Sequence, residues 1–196
     1  MIHAVLINRF TLRLMQDDAL MNAYAKGDAR AFEELYRRHK DGVFSFLRRQ
    51  CDSFEVCEEL AHDTWMAVIK QALAYQSNSA SAQFKTWLYR IAHNRLVDHW
   101  RKYGGDANVL FEELSDVIAN DVSTNPQPAI ESHMQLEELL SSLATLSPEQ
   151  TEAILLKIEG FSHAEIAEIT SAKQETVKSR LRYAAKHLKL SMEFYA

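Results

Sequence analysis

The 196-residue chain has few helix breakers, with 5 Gly and 3 Pro, and few alternating β-branched runs, so helices are expected and sheets are not. It has two cysteines, Cys51 and Cys57, without framework spacing, which excludes a disulfide scaffold. His62 lies five residues beyond Cys57. A zinc site there would need a fourth ligand and usually tighter cysteine pairs, so reduced, packed thiols are the default and no metal is expected. No stretch approaches the roughly 18 apolar residues that span a bilayer. The apolar run at 4–7 is too short for a signal-peptide core, and no small-residue cleavage site follows. A cytoplasmic protein without direct membrane insertion is the expectation. Residues 1–16 read as an N-terminal extension: either a short extra helix or a start called too early, with Met15 as the beginning.

Positive charge is missing from one long span. Between Tyr103 and Leu156 there is no Lys or Arg, while ten acids lie there. The overall net charge of −5 argues weakly against nucleic-acid binding, which usually leaves a basic footprint. That average conceals segregation along the chain. The middle of the acidic span, 120–128, has the composition of a linker.

Helical periodicity fills the rest. Apolar residues recur at three- and four-residue spacing from Ala31 to Leu47, with Asp28 placed to cap and Gly27 marking the break before it. A second helix is predicted from about 54 to 75, carrying Val56, Leu60, Trp65, Val68, Ile69 and Leu73. Residues 76–81 form a polar loop. A third helix runs from about 84 to 103 and stops at Gly104-Gly105. Periodicity returns in Met134, Leu136, Leu139, Leu140 and Leu143. Ser147-Pro148 is a helix start, Gly160 a stop, and Ser162-His163-Ala164-Glu165 a capping box. The turn Ser171-Ala172-Lys173 leads into a last helix reaching about Leu190. The predicted fold is all-α: two small helical domains, 17–103 and 131–190, joined by an acidic linker at 104–130, with a tail at 191–196.

The last helix pair has the form of a helix-turn-helix. Val177, Leu181, Ala184 and Leu188 share a narrow arc that faces the core. Opposite them lie Glu175, Lys178, Ser179, Arg182 and Lys186. Six Lys/Arg against one acid between 173 and 189 give a local net of +5. A cationic face with a hydroxyl at its centre suits the major groove, where Lys and Arg neutralise phosphates and reach guanine edges. The bland alternative is the solvated face of an ordinary helical hairpin. The 84–103 helix is also basic, with a local net of +4. Arg90, Asn94 and Arg101 share one face, with Trp87 a turn earlier and Asp98 at the edge. Cations beside an aromatic suit unpaired bases, because stacking and backbone charge combine there; Trp87 and Trp100 could equally be core.

Several segments resemble a known family. Phe84-Lys85-Thr86-Trp87-Leu88-Tyr89-Arg90-Ile91-Ala92-His93-Asn94, running on to Asp98-His99-Trp100-Arg101-Lys102, resembles region 2 of the extracytoplasmic-function (ECF) sigma factors of RNA polymerase. So does Glu58-Glu59-Leu60-Ala61-His62-Asp63-Thr64-Trp65. Leu146-Ser147-Pro148-Glu149-Gln150, Glu159-Gly160-Phe161-Ser162, Glu165-Ile166-Ala167 and Thr176-Val177-Lys178-Ser179-Arg180-Leu181 resemble region 4. The resemblance covers roughly 17–190.

It implies a promoter-recognition protein that initiates transcription of a stress or envelope regulon, with no catalytic residues and no cofactor. Glu58, Glu59, His62 and Asp63 would bind core RNA polymerase at its clamp. Lys85, Trp87, Arg90, Asn94, Asp98 and Arg101 would open the minus-ten promoter element, with a flipped base captured near 75–83. Thr176, Lys178, Ser179, Arg182 and Lys186 would read the minus-thirty-five element as duplex. The acidic linker would thread towards the RNA exit path, its charge imitating nucleic acid. An anti-sigma factor is implied as a further partner. Departures are visible: the family's usual Asp-Leu-Val-Gln-Glu is Glu59-Leu60-Ala61-His62-Asp63 here. Ser171 and Glu175 stand where Gly is common, and Tyr183 where Arg is. The rival reading is a stand-alone helix-turn-helix regulator, which leaves the basic aromatic helix without a role. An enzyme is disfavoured by the lack of a phosphate loop, paired carboxylates or a nucleophile motif.

Overall fold

A computed structural model describes residues 9–51, 53–75, 84–103 and 146–193. Eight α-helices form from these residues: α1 (Arg9–Leu14), α2 (Asp17–Ala25), α3 (Ala29–Arg48), α4 (Phe54–Lys70), α5 (Phe84–Tyr103), α6 (Pro148–Ile158), α7 (His163–Ile169) and α8 (Gln174–Glu193). The expected loop at 76–81, the linker at 104–130 and the periodic stretch at 134–143 lie outside the described residues.

Local chemistry sets the helix ends. The Asp28 carboxylate accepts from the Arg30 backbone N–H and takes the Arg30 guanidinium, so one side chain both caps α3 and forms an ion pair. Ser53 caps α4 through the Val56 N–H. Ser147 with Gln150 and Ser162 with Glu165 close two complete capping boxes. Each satisfies two backbone donors that a bare helix start would leave open. Gly160, at φ +91°, ends the α6 segment in a backbone region that costs glycine nothing.

Two boundaries differ from expectation. The helix predicted over 54–75 ends at Lys70, and a 3-10 turn, Ala72–Ala74, redirects the chain. The redirection brings the Tyr75 hydroxyl to Asp18 and its ring to 4.9 Å from Trp87. The last helix continues to Glu193, beyond the expected Leu190.

Helices α1 to α5 pack as one domain and α6 to α8 as another. The first centres on Leu20, Met21, Leu35, Val43, Phe46, Leu47, Val68, Phe84, Leu88 and Leu96, all fully buried. Helix α1 belongs to it, because Leu12 is 2% exposed and joins the core. Arg38 fastens that helix. It donates to the carbonyls of Leu12, Arg13 and Met15 and to the Asp17 and Glu34 carboxylates, satisfying carbonyls that a helix C-terminus otherwise leaves without partners. The two domains are also in contact: α5 packs on α7, and one apolar core runs through both.

Candidate nucleic-acid and polymerase interfaces

Helix α8 shows a clear division of faces. Val177 and Ala184 are fully buried and Leu181 packs against the core, while the Leu188 side chain lies outside the described residues. Thr176, Lys178, Ser179, Arg182 and Lys186 are exposed. The apolar back is held on α6 and α7, so the polar face projects as a rigid helix surface, the form that groove insertion uses. Two of its groups have internal partners. Lys178 donates to Glu175 at 2.7 Å, and the Ser179 hydroxyl donates to the Glu175 carbonyl at 3.0 Å. Glu175, where glycine is common in the resembled family, thus orients the first cation of the arc. The hydrogen bond and charge of Lys178 hold its carboxyl below the ordinary range. Ser171, in the turn before α8, sits at φ +51°, a left-handed conformation that favours glycine.

Helix α4 carries the predicted clamp residues on one face. Glu58, Glu59, His62 and Asp63 are all exposed. The apolar spacing of a helix expected over 54–75 includes Ile69 and Leu73. Instead they are 38% and 86% exposed and continue the acidic face into an apolar end. Cys57 and Cys51 are both buried. Among the described residues no group of three or more His, Cys, Asp or Glu is placed to hold a metal ion.

Helix α5 does not present all its predicted residues together. Asn94 and Arg101 are exposed, and Arg101 pairs with Asp98 at 3.6 Å across the surface. Trp87 is half-buried between Tyr75 and Phe84. Trp100, also half-buried, donates its indole N–H to the Gln50 carbonyl. Lys85 and Arg90 turn towards the second domain. Lys85 donates to the Glu159 carbonyl at 2.6 Å and lies 4.8 Å over the Phe161 ring. Arg90 faces Glu168 at 3.6 Å. Between them Thr86 donates to Glu165, Tyr89 donates to Glu159 at 3.0 Å, and His93 meets Glu152 at 2.6 Å. Burial, followed by Glu159, pushes the Tyr89 hydroxyl's pKa upward, so it remains a donor.

These four acids were missed as functional residues. Their positions on two short helices look like ordinary surface and cap chemistry. Only the pairing across 59 to 79 residues of sequence gives them a role.

Comparison with known proteins agrees with the two domains. Residues 35–105 match sigma-70 region 2 and residues 136–188 match sigma-70 region 4. The chain is 27% identical to the ECF RNA polymerase sigma factor BldN of Streptomyces coelicolor, over 81% of this chain and 59% of that protein. It is 27% identical to the RNA polymerase sigma factor YlaC of Bacillus subtilis, over 83% of this chain and 92% of that one. With the ECF sigma factor SigE of Mycolicibacterium smegmatis it shares 31% identity, over 83% of this chain and 66% of the relative. Among solved structures, CnrH in complex with the cytosolic domain of CnrY matches with a TM-score of 0.64 at 21% identity, over 92% of this chain and 99% of that one. The sigma factor RpoE of Bartonella quintana, in complex with the anti-sigma factor NepR, matches with a TM-score of 0.59 at 25% identity, over 83% and 96%. A region 2 helical domain followed by a region 4 helix-turn-helix defines a promoter-recognition protein of the sigma-70 class. The chain belongs to the ECF RNA polymerase sigma factors, which recognise promoters and initiate transcription.

Proposed function

We propose that this chain carries core RNA polymerase to its promoters by dividing the work among three helix faces. The exposed face of α4, with Glu58, Glu59, His62 and Asp63 beside Ile69 and Leu73, meets the polymerase clamp. Helix α5 opens the minus-ten element, with Asn94 reading a base edge and Arg101, Arg90 and Lys85 following the strand. Helix α8 reads the minus-thirty-five duplex. A flipped base is held near 75–83, and the acidic segment 104–130 lies along the RNA exit path. A solved neighbour in complex with an anti-sigma factor supports an anti-sigma partner for this chain; a stress or envelope regulon and a cytoplasmic location complete the reading. Among the described residues no helix is long and apolar enough to cross a membrane.

The observation that carries this reading is the exposed cationic arc of α8 opposite the fully buried Val177 and Ala184. Selection from randomised promoters tests it. Arg182→Ala relaxes preference at one minus-thirty-five base pair, at a cost of about 1–3 kcal/mol for a bidentate contact. Lys186→Ala, nearer the helix end and placed against phosphate, weakens all promoters alike and flattens the salt dependence. If neither substitution alters transcription, the arc is solvated surface and the region 4 assignment of duplex reading fails.

A further inference from the structure

Three aromatic rings meet where α5 begins. Tyr75, just after the 3-10 turn, lies edge-on to Phe84 at 6.2 Å, and Trp87 completes the cluster at 4.9 Å from Tyr75 and 6.0 Å from Phe84. Phe84 is fully buried, whereas Tyr75 and Trp87 are half-buried. These two rings form an aromatic surface at the start of the basic helix, the kind of surface on which an unpaired base stacks. The Tyr75 ring is also held at its far end, because its hydroxyl donates to the Asp18 carboxylate in the first turn of α2, 57 residues away in sequence. Burial, followed by Asp18, pushes the Tyr75 hydroxyl's pKa upward, so it remains a donor. Asp18 stands on a fixed support. Leu20 and Met21 of the same helix are fully buried, and the neighbouring Asp17 carboxylate is tied to α3 by Arg38 at 2.7 Å and by His39 at 2.6 Å.

We infer that Asp18 is a positioning residue for promoter opening: through the Tyr75 hydroxyl it sets the angle of the Tyr75 ring against Trp87, and so the surface that receives an unpaired minus-ten base. A tyrosine ring turns about two side-chain torsions, and a bond at its far end restrains both. The acceptor is charged, which makes that bond stronger than a neutral one. The two rings stand 59° apart, and the restraint comes from α2, not from the helix that carries Trp87. The surface is therefore set before a strand arrives, and a preorganised site pays less to bind. Loss of Asp18 should slow opening and spare the duplex contacts of α8. This rests on the proposed minus-ten role of α5. Asn94 and Arg101 serve as separate markers of that role, because both are exposed and neither takes part in the ring cluster.

The test uses the full chain with core polymerase on a promoter fragment recovered by selection. Permanganate reactivity of the minus-ten thymines follows opening with time, and affinity for the same fragment in the cold, before melting, reports duplex binding. Asp18→Ala should slow opening about three- to tenfold and leave cold binding nearly unchanged. Tyr75→Phe keeps the ring, removes only the hydroxyl and should slow opening by a similar factor. The double variant should be no slower than either single one, because both remove the same bond. Asp18→Asn keeps an oxygen acceptor and should restore most of the rate. Normal opening in Asp18→Ala or Tyr75→Phe, or slowing that multiplies in the double variant, overturns the positioning role. Urea denaturation identifies a variant that has failed to fold; Tyr75→Phe with Asp18→Asn then tests the same bond with less disturbance. Asn94→Ala and Arg101→Ala report separately on strand reading. If both open promoters normally, the minus-ten role of α5 fails and Asp18 loses its role with it. If they slow opening while Asp18→Ala does not, α5 keeps its role and only the inference about Asp18 is overturned.

Discussion

Gly42 lies inside α3, where glycine is about 1 kcal/mol less favourable than alanine. On helix propensity alone, Gly42→Ala would stabilise the protein. The structure predicts the opposite. A Cβ at position 42 would sit 2.8 Å from the Tyr89 hydroxyl and 3.5 Å from a Glu159 carboxylate oxygen, and the first separation is too short for non-bonded atoms. Tyr89 cannot swing aside, because its ring is held between Phe46 at 5.3 Å and Phe161 at 4.9 Å. Overpacking of this kind costs about 1–3 kcal/mol, and displacing the hydroxyl from Glu159 forfeits a charge-assisted hydrogen bond of about 1.5–3 kcal/mol. Set against the helix gain, the net loss is about 1.5–5 kcal/mol. Urea denaturation followed by circular dichroism should show a lower midpoint at unchanged slope. The cause is isolated by adding Tyr89→Phe. Without the hydroxyl the methyl has room, so the double variant should be less destabilised than the two single effects sum to. A Gly42→Ala protein as stable as the parent, or strict additivity in the double variant, would refute the packing argument at this junction.

Other consequences follow from single residues. Arg38→Ala strips partners from three carbonyls and two carboxylates at once and should cost about 2–4 kcal/mol in urea denaturation. The same network sets an acid dependence. Arg37, then Arg38, hold the Glu34 carboxyl down to about 2. Asp17 is also lowered, because its hydrogen bonds to His39 and Arg38 together outweigh its burial. Both groups take up protons more readily unfolded than folded. Their stabilisation is therefore full above the ordinary carboxylate pKa of about 4 and is lost as pH falls towards about 2. The denaturation midpoint should drop across that window, and drop less in Arg38→Ala; an equal drop in both proteins would sink the assignment. Ser171→Gly relieves the left-handed backbone before α8 and should raise thermal stability by about 1–2 kcal/mol, with a fall contradicting that account.

What was legible in the sequence was mostly local. Helix α5 runs from Phe84 to Tyr103 as its periodicity and Gly104-Gly105 predicted, and the Ser147 and Ser162 starts are real caps. Such signals act within four residues, so the sequence displays them directly. The buried and exposed sides of α8 were legible for the same reason. The break after Lys70 was not, because it depends on Tyr75 reaching Asp18, 57 residues away. Nor was the partnership of Lys85 with Glu159, at a separation of 74. Composition showed that acids and bases are segregated, but not that four acids of one domain would face the basic helix of the other. Helical spacing likewise placed Arg90 on one face with Asn94, yet the two side chains have different surroundings: one beside Glu168, the other in solvent.

Run-off transcription tests most directly whether this chain directs RNA polymerase to promoters. Purified core polymerase is combined with the chain on a library of promoter fragments, and the transcripts are sequenced from their 5′ ends. A chain with that role should give discrete start sites that appear only when it is present and share minus-ten and minus-thirty-five elements upstream. Transcripts identical with and without the chain, despite confirmed folding of the protein, would contradict it.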